Sequence, residues 1–454
     1  MSTASTVNDE GSPVAPTVSF GEAFRFWLKL GFISFGGPAG QIAIMHQELV
    51  EKRRWISEKR FLHALNYCMV LPGPEAQQLA TYIGWLMHRT WGGIVAGGLF
   101  VLPSLFILIA LSWVYMAYGS HPVATGVLYG IKPAVTAIVL FAAWRIASRA
   151  LRNWLLWAIA VTAFVAIFAL KVPFPLIVLA AGLTGWIGGR VHPAYFSSRG
   201  GHKTGAGDEA GARPAVIDDD TPTPPHALFR WPRLAMVVAV SLALWLVVIA
   251  SLHALPSTNA TLAQMAWFFT KAALLTFGGA YAVLPYVFQG AVEQHQWLTA
   301  TQMIDGLALG ETTPGPLIMV VAFVGFVGGW VRAVVPDSLF LSGVVAASVV
   351  TFFTFLPSFL FILAGGPLIE TTHNDLKFTA PLTAITAAVV GVIANLALFF
   401  GYHVLWPSGF DGRFEGWSAA IGVVAAIALF RFKIGVIPVI AGAAVAGLVL
   451  LYRW

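Results

Sequence analysis

The sequence has one cysteine, Cys68, in 454 residues, which excludes an internal disulfide, and no Cys/His cluster has metal-ligand spacing. Charge is scarce too: Asp, Glu, Lys and Arg make up 10% of the chain against 58% hydrophobic residues. Soluble domains carry roughly 25% charged residues, so that class is excluded and a polytopic helical membrane protein fits. Apolar stretches run continuously instead of alternating with polar residues, which argues against a membrane β-barrel. No nucleotide-binding phosphate loop is present, since Gly200-Gly-His-Lys203-Thr204 lacks the glycine spacing. A Gly-x-Ser-x-Gly elbow and a His box are missing as well. The expectation is therefore neither an enzyme nor an ATP-driven pump, with no cofactor and no metal. The basic residues lie between apolar segments, as orientation signals do, so no nucleic-acid partner is expected. Met1–Ser19 holds no Lys or Arg, so it is not a secretory signal peptide and reads as part of a disordered tail over 1–20.

Glycine and proline are abundant, at 45 and 26 residues. Pro72-Gly73-Pro74 interrupts an apolar run. Both prolines lack an N–H and glycine tolerates any backbone angle, so a helix must break there. A broken backbone at membrane depth is tolerated only where it is buried in protein or lines a cavity.

The break recurs. Lys29, Phe35-Gly36-Gly37, Glu51, Trp55 and Pro72-Gly73-Pro74 return as Lys271, Phe277-Gly278-Gly279, Glu293, Trp297 and Pro314-Gly315-Pro316. The offset is constant (277 − 35, 293 − 51 and 314 − 72 all give 242). Leu102-Pro103-Ser104 recurs as Leu356-Pro357-Ser358 at offset 254, so the second copy carries a twelve-residue insertion. The loop after the first Gly-Gly contains Lys52, Arg53, Arg54, Lys59 and Arg60, whereas its counterpart has no Lys or Arg. By the positive-inside rule the two loops face opposite sides, which makes the repeats inverted.

The expected fold is an all-α polytopic membrane protein of two inverted-topology repeats. Each has about four spanning helices plus two broken or re-entrant segments. The units are an N-terminal repeat over 21–190, a flexible cytoplasmic linker over 191–233, a connecting transmembrane helix over 234–254 and a C-terminal repeat over 265–454. Spans are expected near 92–117, 128–144, 154–170, 173–189, 234–252, 339–364, 381–402, 417–431 and 434–451. Segments 24–44, 61–88, 266–286 and 303–331 read as broken hairpins. Reading them as continuous helices would raise the count from nine to as many as thirteen.

Inverted repeats with broken helices place a substrate site near the midplane. A helix that restarts after a break presents free N–H groups and a positive dipole end, suited to an anion. Candidate substrate-binding residues are therefore Gly36, Gly37, Pro38, Gly278, Gly279, Pro72, Gly73, Pro74, Pro314, Gly315, Pro316 and Gln77. Lys29 and Lys271 are two further candidates, able to neutralise a divalent anion, with snorkelling to the interface as the alternative. Glu75 and Glu311 are either proton carriers or helix caps. His63 and Asp305 are repeat-equivalent and a candidate gate, while Lys132 reads as an interfacial anchor.

The runs SFGGPAGQIAIMHQELVEKRRWI, LPGPEAQQLATYIG, LPS, FGGAYAVLPYV and PGPLIMVVAFVG resemble the chromate ion transporter family in its long, two-domain form. The resemblance implies a bacterial inner-membrane carrier with a cytoplasmic N-terminus that exports chromate and confers resistance, with sulfate as a related anion. Protons are the candidate coupling ion, and a homodimer stays open. The chain departs from many relatives at Glu75-Ala76-Gln77 and at Ala280-Tyr281, which leaves sulfate transport or an anion channel as alternatives.

Overall fold

The computed structural model describes residues 18–35, 37–196, 215–218, 221–254, 260–277, 279–371 and 379–451. Gly36, Gly278, most of the expected N-terminal tail and linker residues 197–214 and 219–220 lie outside the described residues. The described chain is helical and contains no strand, only an isolated parallel bridge between Ile56 and Ile217.

Helix α1 (Phe20–Ile33) starts where the Ser19 hydroxyl accepts the Glu22 N–H, and it buries Ala23, Phe26, Trp27 and Leu30 on one stripe. Beyond the glycine pair, α2 (Gly37–His46) runs into a π-helical turn, Gln47–Lys52. α3 (Glu58–Val70) is capped by Ser57 and stops ahead of Pro72. α4 (Glu75–Tyr118) is 44 residues long, and its only interior departures from helix are His88 and Arg89. There the chain reverses, with Gly97 packed on Gln77 and Thr81, so the restarted half-helix and the span expected separately at 92–117 are two helices lying side by side. α5 (Pro122–Ala150), α6 (Trp154–Phe168), α7 (Phe174–Val191) and the short α8 (Pro193–Phe196) complete the first half. α9 (Trp231–Ala254) connects the halves.

The second half repeats these elements in order: α10 (Ala260–Leu274), α11 (Ala280–Phe288), a π-helical turn at Gln289–Gln294, α12 (Ala300–Thr312), α13 (Val320–Arg332), α14 (Leu339–Thr371), α15 (Thr379–Leu405), α16 (Gly416–Phe430) and α17 (Val436–Leu451). The π turns and the pair α3/α12 sit at the 242 offset, and positive-φ Arg54 matches Gln296. Further on, α6/α16, α7/α17 and positive-φ Lys171/Lys433 share an offset of 262. The twelve-residue insertion falls at the place equivalent to the α4 reversal, where Ala333 at φ 46° ends α13 outright.

Six described helices are long and apolar enough to cross a membrane: α4, α5, α7, α9, α14 and α15. α6, α16 and α17, expected as full spans, have only 15, 15 and 16 residues, about 23 Å of helix against a core of about 30 Å. α1, α3 and α12, at 13 to 14 residues, reach about 20 Å, which suits limbs of a hairpin that turns back at mid-depth.

The halves interlock through small residues. α5 packs on α17 with Gly130 and Gly447 nearly in backbone contact, and α15 meets α6 at Gly391 and Ala160. Such close approach lets dispersion hold helices together in an apolar medium. Part of the segment expected to be a flexible linker is docked on the first half. Val216 and Ile217 donate to the Arg54 and Trp55 carbonyls, the Ser57 N–H donates to the Ile217 carbonyl, and Arg60 donates to the Thr221 carbonyl.

Candidate functional site

The Pro-Gly-Pro turns need a backbone that only glycine adopts readily: Gly73 sits at φ +126° and Gly315 at φ +106°. Each turn is held by the other half. The Gly73 N–H donates to the Thr276 carbonyl at 2.7 Å, and the Gly315 N–H donates to the Ser34 carbonyl at 2.7 Å. Because 276 is 34 + 242 and 315 is 73 + 242, the two bonds are one contact made twice, at equivalent positions of the two halves. Ser34 and Thr276 directly precede the Phe-Gly-Gly motifs, so each Pro-Gly-Pro turn is bonded to the opposite half's Phe-Gly-Gly break.

The Leu-Pro-Ser motifs close the exchange. A Cβ on Gly73 would lie 2.5 Å from Ser358 Oγ, and one on Gly315 would lie 2.7 Å from Ser104 Cβ. The two Phe-Gly-Gly breaks also approach each other, with Pro38 Cγ 3.9 Å from a Cβ built on Gly279, while the position beside Gly37 is open. Four helix starts thus gather in one place: α2, α4, α11 and the 3-10 turn Leu317–Met319 that leads into α13. For α4, α11 and the 3-10 turn, the N-cap residues are Pro74, Gly279 and Pro316, and none supplies a side-chain cap. Their first N–H groups therefore stay available to a ligand.

Polar side chains line the crossing without partners. Ser34 Oγ, Ser104 Oγ, Gln77 Oε1 and Gln78 Oε1 are buried and unbonded. Gln78 Nε2 donates to the Pro72 carbonyl (2.8 Å) and Gln41 Nε2 to the Gly315 carbonyl (2.5 Å), which fixes the turns. Gln77 is buried one turn into α4, with its Nε2 on Thr81 Oγ1 at 3.0 Å. An orphaned buried polar atom costs about 1–3 kcal/mol, so several around one crossing mark a place built for something else to bind.

The structure does not bring Lys29 and Lys271 to this crossing. Both are exposed, on the faces of α1 and α10 that also carry exposed Phe32 and Trp267. Lys271 Nζ lies 5.8 Å from the Trp267 ring centroid. Glu75 opens α4 next to Pro74 and has no hydrogen bond or ion pair among the described residues. Glu311, three residues before Pro314, accepts a short hydrogen bond from Tyr281.

Two clusters flank the crossing that the sequence did not reveal. Arg60 on α3 bonds Glu370 near the end of α14 at 2.7 Å, and Tyr82 holds the other Glu370 oxygen. On the equivalent limb of the second half, Asp305 of α12 accepts from Tyr115 (2.9 Å) and lies 3.7 Å from Lys132. Lys132 is thus a partner of Asp305, beyond the interfacial anchoring expected of it. A cavity of about 340 Å³ opens there, lined by Tyr115, Lys132, Gln302 and Asp305 among others. Among the described residues no group of three or more His, Cys, Asp or Glu could hold a metal ion.

Fold and crossing together define an all-α polytopic membrane protein whose two matching halves bring broken helix ends to a common centre. The chain belongs to the chromate transporter family, whose model matches residues 21–186 and 263–448, both halves of the repeat. It is 30% identical over 436 residues to a chromate transport protein of Pseudomonas aeruginosa, covering 96% of this chain and 93% of that one. The chromate transport protein of Cupriavidus metallidurans is 27% identical over 437 residues (96% and 94%). A probable chromate transport protein of Synechococcus elongatus is 29% identical over 394 residues (86% and 87%). No solved structure matches the chain.

Proposed function

We propose that this protein is a secondary active transporter of a divalent tetrahedral oxyanion, chromate, exporting it across the bacterial inner membrane with a cytoplasmic N-terminus. The observation that carries the reading is the reciprocal crossing of the two Pro-Gly-Pro turns, with four helix starts and unbonded buried Ser34, Ser104 and Gln78 around it. The starts of α2, α4 and α11 each present a positive dipole end, which suits the charge of chromate. The serine hydroxyls and free N–H groups donate to its oxygens. Lys29 and Lys271 stay outside the binding crossing and act at the membrane interface. The carboxyls of Glu75 and Glu311 would repel a dianion when ionised, so a proton on either favours binding and its loss favours release. Proton and anion then move together with net negative charge, so the inside-negative membrane potential favours export, with the Tyr281 hydroxyl orienting Glu311.

Purified protein in proteoliposomes should accumulate labelled chromate when a pH gradient is imposed, saturably and with sulfate as a weaker competitor. Non-saturating, gradient-independent flux would identify a channel. Saturable sulfate accumulation without chromate accumulation would identify a sulfate carrier.

A further inference from the structure

A cavity outside the crossing lies where α4 leaves helical geometry at His88 and Arg89. It measures about 480 Å³ and is lined by Phe20, His88, Arg89, Trp91, Pro224 and His226 among others. Three parts of the chain build it: the start of α1, the reversal of α4 and the docked segment that precedes α9. Its electrostatics are one-sided. Arg233 donates to the His226 carbonyl, and Arg89 and Arg230 stand close enough to Arg233 to repel it. No carboxylate among the described residues pairs with Arg89, Arg230 or Arg233. Burial, then the nearby Arg233 and Arg89, hold the His226 imidazole below its usual range, in keeping with a site already crowded with positive charge.

The backbone adds a second, independent observation. Arg89 is held at φ 56°, ψ −157°, a conformation that side-chain-bearing residues rarely adopt. Arg89 lines the cavity from this reversal of the chain. Around the mouth the surface is apolar and aromatic: Trp91 is 72% exposed and Phe20 45%. α9, which follows the docked segment, leaves most of its length exposed and touches the bundle at Trp245. Tryptophan at a helix end beside arginine is the arrangement that sits at headgroup level.

We infer that this cavity is a binding site for a phosphate-bearing anion, with Arg89 as its charged ligand, Arg230 and Arg233 adding positive charge beside it, and an anionic phospholipid headgroup as the occupant. Arginine forks match phosphate oxygens in pairs, and the exposed Trp91 and Phe20 receive the glycerol and upper acyl region. The same segment that supplies His226 also supplies the Thr221 carbonyl to Arg60, so an occupant here tethers the chain that covers the Arg60–Glu370 pair.

The test is a tryptophan-fluorescence titration of purified full-length protein in neutral detergent with dioctanoyl phosphatidylglycerol. Parallel titrations use dioctanoyl phosphatidylcholine and glycerol 1-phosphate. Saturable binding of phosphatidylglycerol is expected, with at least about tenfold weaker binding in Arg89→Gly/Arg230→Gln, as for loss of charge-assisted contacts. Phosphatidylcholine should not compete. If glycerol 1-phosphate binds as tightly as the lipid, the site is confirmed and its occupant is a soluble phosphate. Arg89→Gly alone, at a backbone angle that glycine adopts readily, gives the same comparison should the double variant fail to fold. Equal binding of both lipids, or unchanged binding in the variants, would overturn the inference.

Discussion

Adding one methyl group at each Pro-Gly-Pro turn tests the crossing residue by residue. At Gly73 the new Cβ would sit 2.5 Å from Ser358 Oγ and 2.6 Å from Gln78 Nε2, on a backbone at φ +126°. At Gly315 it would sit 2.7 Å from Ser104 Cβ, at φ +106°. Backbone strain of about 1–3 kcal/mol adds to overpacking of about 1–3 kcal/mol, so each turn should lose about 2–6 kcal/mol. Even the lower figure depopulates the native turn by roughly thirtyfold. Chromate uptake into everted vesicles should therefore fall at least tenfold in Gly73→Ala and in Gly315→Ala. The second-site responses should differ. Ser358→Ala removes the Oγ and should partly restore Gly73→Ala, whereas Ser104→Ala leaves the offending Cβ and should not restore Gly315→Ala. Only Ser104→Gly should do that. Wild-type uptake by either alanine variant, or rescue of each turn by the wrong serine, would refute the cross-half packing.

Breaking the buried Arg60–Glu370 pair by Arg60→Met should cost about 3–5 kcal/mol, read as a lower unfolding temperature in detergent. Arg60→Met/Glu370→Leu, which leaves no uncompensated charge, should recover most of it. Glu311→Gln should abolish the dependence of chromate uptake on an imposed pH gradient while keeping chromate/chromate exchange, and Tyr281→Phe should weaken that dependence less; retained gradient dependence in Glu311→Gln would assign the proton elsewhere. Cysteines at the exposed, repeat-equivalent Lys52 and Gln294, in a Cys68→Ala background, should label from opposite sides of the membrane. Same-side labelling would end the inverted-repeat reading.

Much of the architecture was legible in the sequence because the physics is local. Proline and glycine stop helices wherever they fall, so α3 and α12 end where Pro72 and Pro314 require. A constant 242 offset carries the same caps, turns and breaks into the second half. What could not be read was direction. Lys29 and Lys271 share an offset and a charge, but nothing local says which face of α1 or α10 meets the bundle, and both faces turn outward. Contacts between halves were equally hidden. Ser104 and Ser358 marked the repeat, yet their packing on Gly315 and Gly73 depends on tertiary crossing. Arg60 and Glu370, 310 residues apart, carry no shared motif at all. The reversal at His88-Arg89 was legible as the boundary between segments 61–88 and 92–117, though the packing of Gly97 on Gln77 and Thr81 that it produces was not.

The central claim is that the two Pro-Gly-Pro turns present one shared anion site. Equilibrium chromate affinity, measured on purified Pro72→Ala and Pro314→Ala alongside their unfolding temperatures, tests it most directly. Each substitution lets a helix run on and removes free N–H donors, while an unbroken helix still satisfies its own backbone in lipid. Affinity should fall by a similar factor in both variants, with thermal stability little changed. Unaltered affinity per folded molecule together with a lower unfolding temperature would reduce the turns to packing kinks and contradict the account.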